Sequence, residues 1–62
     1  MAQQLKSLFD QAKALGGFKA EMRLVILTRI TRVNAETMPD SQEVFNLLQR
    51  ALNEVKKEYV KY

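Results

Sequence analysis

Few side chains in this chain could move a proton or attack an electrophile. It contains neither histidine nor cysteine, which removes imidazole acid–base chemistry, phosphorelay, thiol nucleophiles, disulfides and Cys/His zinc sites. Two serines, Ser7 and Ser41, carry hydroxyls. Ser7 has no evident base, and Ser41 suits the start of a helix. Glu36, Asp40 and Glu43 could be imagined as a paired-carboxylate site, but their placement matches helix-end capping better. Gly16-Gly17 lacks the Lys and Ser/Thr that follow the glycines of a phosphate-binding loop. No stretch has the alternating oxygen ligands and central glycine of a calcium loop. The sequence therefore predicts a protein that is not an enzyme and uses no cofactor or metal.

The remaining chemistry is charge. Ten Lys plus Arg against seven Asp plus Glu give a net charge of +3. Residues 1–33 are predominantly basic and residues 34–50 predominantly acidic, a division that suits pairing within the chain or between two copies. Lys19, Arg23, Arg29 and Arg32 raise the alternative of a small basic DNA- or RNA-binding regulator, because clustered cations attract phosphates and a helix fits the major groove. On a helix, however, Lys19 and Arg23 share one sector while Arg29 and Arg32 fall on another, among Val25, Ile26 and Val33. No aromatic is interleaved for base stacking, and the 34–40 connection is too long and acidic for a helix-turn-helix. Lys19, Arg23 and Arg32 stand as the candidate nucleic-acid contacts.

These groups are carried by a pattern that reads as helical throughout. Leu5, Leu8, Phe9, Ala12 and Leu15 share one side of a first helix over residues 2–15, which Gly16-Gly17 should end. From Phe18 to Val33 a second helix is expected, with Phe18, Met22, Val25, Ile26, Ile30 and Val33 on its stripe and Leu24 and Leu27 on the opposite side. The β-branched run from Leu24 to Val33 leaves a strand paired with another copy as the alternative. Asn34 to Asp40 reads as a connection, since Pro39 restricts Met38 to extended backbone. Asp40 with Glu43 resembles a capping box, with Ser41 as a second candidate cap. The last helix shows the strongest periodicity, through Val44, Leu47, Leu48, Ala51, Leu52, Val55 and Tyr59. The expected architecture is an all-α three-helix unit forming a single domain over residues 1–62: helix, Gly-Gly break, helix, short loop, long helix. Whether the first two helices fold back or form a kinked rod is open at this level.

A chain of 62 residues buries only about 60% of its unfolded surface, and it lacks the disulfides and metals that usually reinforce small folds. A middle helix that is apolar nearly all round, in so short a chain, implies a partner. The expected function is a non-enzymatic protein–protein interaction module, a homodimeric small regulator, adaptor or assembly protein that completes a larger bundle. Its interface is expected at Leu24, Leu27, Arg29, Val33, Val55, Tyr59 and Tyr62. Arg29, placed between Val25 and Val33, either lays its stem along the surface with its head in water or is held by a carboxylate such as Glu36 or Glu43 from its own or another chain. The N-terminus lacks the pattern of a secretory signal, and no apolar run approaches the roughly 20 residues of a membrane span, so a cytoplasmic protein is expected.

Overall fold

A computed structural model describes residues 2–38 and 41–59 of the chain. Three helices follow in order: α1 (Ala2–Thr28), α2 (Arg32–Thr37) and α3 (Gln42–Tyr59). No strand occurs among the described residues. The molecule is an all-α three-helix unit, and the strand alternative for residues 24–33 is replaced by helix as far as Thr28.

Helix α1 is two helical limbs, residues 2–15 and 18–28, joined at Gly16 (φ −143°, ψ 19°) and Gly17 (φ 69°, ψ −151°). The Gly17 conformation is one that only glycine adopts without strain, so the break falls where the sequence places it. The limbs fold back on each other. Gln11 and Gln49 line one groove, while Leu27 and Leu47 line another. In a continuous helix, residues 11 and 27 would lie about 24 Å apart, too far to meet neighbouring positions on the same helix.

Both limbs and α3 share one core. Leu5, Leu8, Phe9 and Ala12 enter it from the first limb, Ala20 and Leu24 from the second, and Leu48, Ala51, Leu52 and Val55 from α3. Helix α2 adds Ala35. It packs on α1, and among the described residues none of its Cα atoms lies within 8 Å of one in α3.

The helix ends differ from expectation in two places. The second limb stops at Thr28 instead of running to Val33, because the Thr28 hydroxyl takes over the end of the helix. It donates to the Leu24 carbonyl at 2.9 Å and accepts the Ile30 N–H at 3.3 Å. Arg29 then turns into the left-handed region at φ 57°. The 34–40 connection also contains structure: Thr31 caps α2, its hydroxyl accepting the Asn34 N–H at 3.1 Å. For α3 the cap is Ser41, whose hydroxyl accepts the Val44 N–H at 3.1 Å. The Asp40 alternative, like Pro39, lies outside the described residues.

Candidate interaction surface

The orientation of limb 18–28 decides what this protein shows to the outside. Its inward face is Ala20, Glu21, Leu24 and Thr28, all buried. Three contacts hold it that way.

At the hairpin, the Tyr59 ring lies directly over Gly16, so closely that a Cβ on Gly16 would sit 2.5 Å from its Cδ1. Further along, the Arg23 Nε donates to Glu58 Oε2 at 3.0 Å, tying the limb to the end of α3. On the other flank, Arg32 of α2 reaches back over α1. Its Nη1 donates to Glu21 Oε2 at 2.9 Å and its Nη2 to Asp10 Oδ1 at 3.0 Å, with Glu36 beside its Nε at 3.9 Å. One guanidinium thereby joins both limbs and α2. It also supplies the charge partner that a buried carboxylate requires. Among the described residues, no buried side-chain nitrogen or oxygen lacks a hydrogen-bond partner.

This orientation leaves an apolar ridge outside. Phe18, Met22 and Ile26, successive at four-residue steps and so side by side on the helix, are 68%, 38% and 62% exposed. Sequence reasoning placed these three on one stripe with Val25, Ile30 and Val33, and Leu24 and Leu27 on the uncovered face; the structure exposes the three and buries Leu24, while Val25 and Ile30 pack against the core and Leu27 is exposed. Leu24 is fully buried within the chain. Its face carries a small alanine, which lets the helices approach, and a glutamate that is neutralised in place. An apolar count registers neither. The four-residue spacing of the ridge was the available signal. What it could not say was which apolar side faces inward.

The other anticipated interface residues divide. Val55 is fully buried within the chain and so forms no surface, whereas Leu27, Val33 and Tyr59 are exposed. Tyr62 lies outside the described residues. Arg29 is exposed but does not stand between Val25 and Val33 on a helical stripe, since the helix has ended before it. The arginine that takes the carboxylates, Glu36 included, is Arg32. Of the candidate nucleic-acid contacts, Lys19 is exposed, whereas Arg23 and Arg32 are engaged by carboxylates of their own chain.

Beside the ridge, Leu27 and Leu47 with Arg50, Ala51 and Glu54 line an open groove of about 380 Å³ between the second limb and α3. Ridge and groove together present apolar contact area edged by charge, a surface suited to binding. Among the described residues, no helix is long and apolar enough to cross a membrane. Comparison of the chain with protein-family models, curated proteins and solved structures finds no match.

Proposed function

We propose that this chain is a non-enzymatic protein-interaction module that associates with a second copy of itself, serving as a small regulator, adaptor or assembly protein. The observation that supports this reading is the exposed Phe18, Met22 and Ile26 ridge. Single exposed apolar residues are ordinary, but three aligned on two turns of one helix form a patch whose burial is favourable. The ridge also sits on a segment fixed by ion pairs on both flanks, so docking there orders little that is not already ordered.

Sedimentation velocity across a micromolar concentration series tests the reading. The expected result is a concentration-dependent dimer that Ile26→Glu converts to monomer without loss of helical circular dichroism. A wild-type chain that stays monomeric throughout the series overturns it.

A further inference from the structure

The ridge by itself is too small for a stable dimer. Its three side chains expose on the order of 300 Å², the scale of the largest patch on an ordinary monomer, whereas a standard interface buries roughly 800 Å² on each partner. The same limb, however, also borders the Leu27–Leu47 groove. Helical geometry puts Leu27 about 100° around the limb from Ile26, so one molecule offers a convex apolar ridge and a concave apolar groove on adjoining faces of one helix.

Charge separates the ways in which two copies could meet. The charged residues of the limb are Lys19, Glu21 and Arg23. Glu21 and Arg23 are engaged inside the chain by Arg32 and Glu58, and Lys19 lies exposed on the flank of the ridge, one three-residue step from Met22. Ridge packed on ridge therefore brings lysine toward lysine and supplies no carboxylate from the limb. The groove carries one carboxylate, Glu54, which meets Lys57 of its own chain at 3.5 Å, and one cation, Arg50. Ridge packed in groove offers Lys19 a carboxylate beside that cation, which ridge on ridge does not.

We infer that the second copy docks reciprocally: the Phe18, Met22 and Ile26 ridge of each protomer fills the Leu27–Leu47 groove of the other, with Lys19 beside the partner's Glu54. This rests on the self-association proposed above and specifies its geometry. Reciprocity uses both apolar surfaces of both copies, which brings the buried area toward the standard size, and a two-fold arrangement closes at two copies. Arg23, between ridge and groove, is where the two limbs would cross; its pairing with Glu58 at 3.0 Å reduces the repulsion of two like charges there.

The absence of native cysteine makes disulfide trapping clean. A Phe18→Cys chain and a Leu47→Cys chain of distinguishable mass are mixed and mildly oxidised. The expected product is the mixed disulfide, in excess over either homodisulfide, and a chain carrying both substitutions should give a covalent dimer. Dominant Phe18→Cys homodisulfide overturns the reciprocal geometry and leaves self-association standing. A ladder of higher multimers from the double variant overturns two-fold closure, and a monomer by sedimentation overturns both readings. Lys19→Glu and Glu54→Lys should each weaken the wild-type dimer about threefold, the scale of an exposed ion pair, and together restore it. Weakening that simply adds in the double variant counts against the pairing.

Discussion

Arg32 lies over the buried carboxylate of Glu21 at 2.9 Å, and together with the buried Ala35 it fixes α2, a helix of six residues, to the helical hairpin. The two partners are unequal: Glu21 is 7% exposed, while the Arg32 side chain is about one-third exposed. Removing the arginine should therefore cost far more than an exposed ion pair. Arg32→Met is expected to lower unfolding stability by about 2–3 kcal/mol, toward the range for a buried charge left without its partner. Asp10→Asn, at an exposed carboxylate on the same guanidinium, should cost under about 1 kcal/mol. Urea unfolding followed by circular dichroism separates the two. If Arg32→Met and Asp10→Asn cost the same, Glu21 does not depend on Arg32.

The two glycines of the hairpin should respond differently to alanine. At Gly17 the backbone is in a glycine-only region and open space surrounds the position, so Gly17→Ala carries about 1–3 kcal/mol of conformational strain that no neighbouring substitution relieves. At Gly16 the obstacle is chiefly a side chain, the Tyr59 ring, with Ala20 Cβ at 2.9 Å behind it. A Gly16→Ala, Tyr59→Ala double-mutant cycle should therefore show favourable coupling, and the same cycle with Gly17→Ala should show none.

How far the sequence announces this fold can be read helix by helix. In α3 the three- and four-residue steps picked out Val44, Leu47, Leu48, Ala51, Leu52, Val55 and Tyr59; Leu48, Ala51, Leu52 and Val55 are buried, because an amphipathic surface helix turns one stripe to the core, while Leu47 and Tyr59 at its edges are exposed. Gly16-Gly17 likewise marked the break, since backbone freedom is a local property, but not that the limbs fold back on each other there. Limb 18–28 was misread because its inward face is chosen by partners distant in sequence: Arg32 neutralising Glu21, and Tyr59 lying on Gly16. The candidate surface was misplaced for the same reason. Its general location on this limb was legible from the excess of apolar residues, while the side facing solvent depended on tertiary ion pairs.

The end of that limb supplies a further test. Arg29 occupies left-handed backbone at φ 57°, which costs a side-chain-bearing residue roughly 1–2 kcal/mol, while glycine loses more backbone entropy on folding, about 0.5–1 kcal/mol. Arg29→Gly should thus raise stability by about 0.5 kcal/mol, visible as a small increase in urea midpoint with an unchanged slope. Thr28→Val, which removes the hydroxyl's contacts with Leu24, Val25 and Ile30 at this helix end, should lower it by about 1 kcal/mol. A destabilised Arg29→Gly variant would mean that the arginine side chain contributes more than its backbone costs.

Leu24 and Ile26 are two residues apart in sequence, yet their truncation should divide folding from association. Leu24 is wholly enclosed by the core of its own chain, so Leu24→Ala should cost about 2–5 kcal/mol. A domain of this length has a total stability of only about 3–9 kcal/mol, so the variant should be partly unfolded at ordinary temperature. Ile26 is largely exposed, and Ile26→Ser should change the unfolding of the isolated chain by no more than about 0.5 kcal/mol. Its effect should appear instead in mass action. A dimer that binds only the folded chain makes the melting temperature rise with protein concentration, and Ile26→Ser should flatten that dependence while leaving the dilute-limit melting temperature in place. Thermal melts over a hundredfold concentration range distinguish the outcomes. An equal loss at every dilution would place Ile26 in the core with Leu24, and a wild-type melt independent of concentration would leave the ridge without a second copy to cover it.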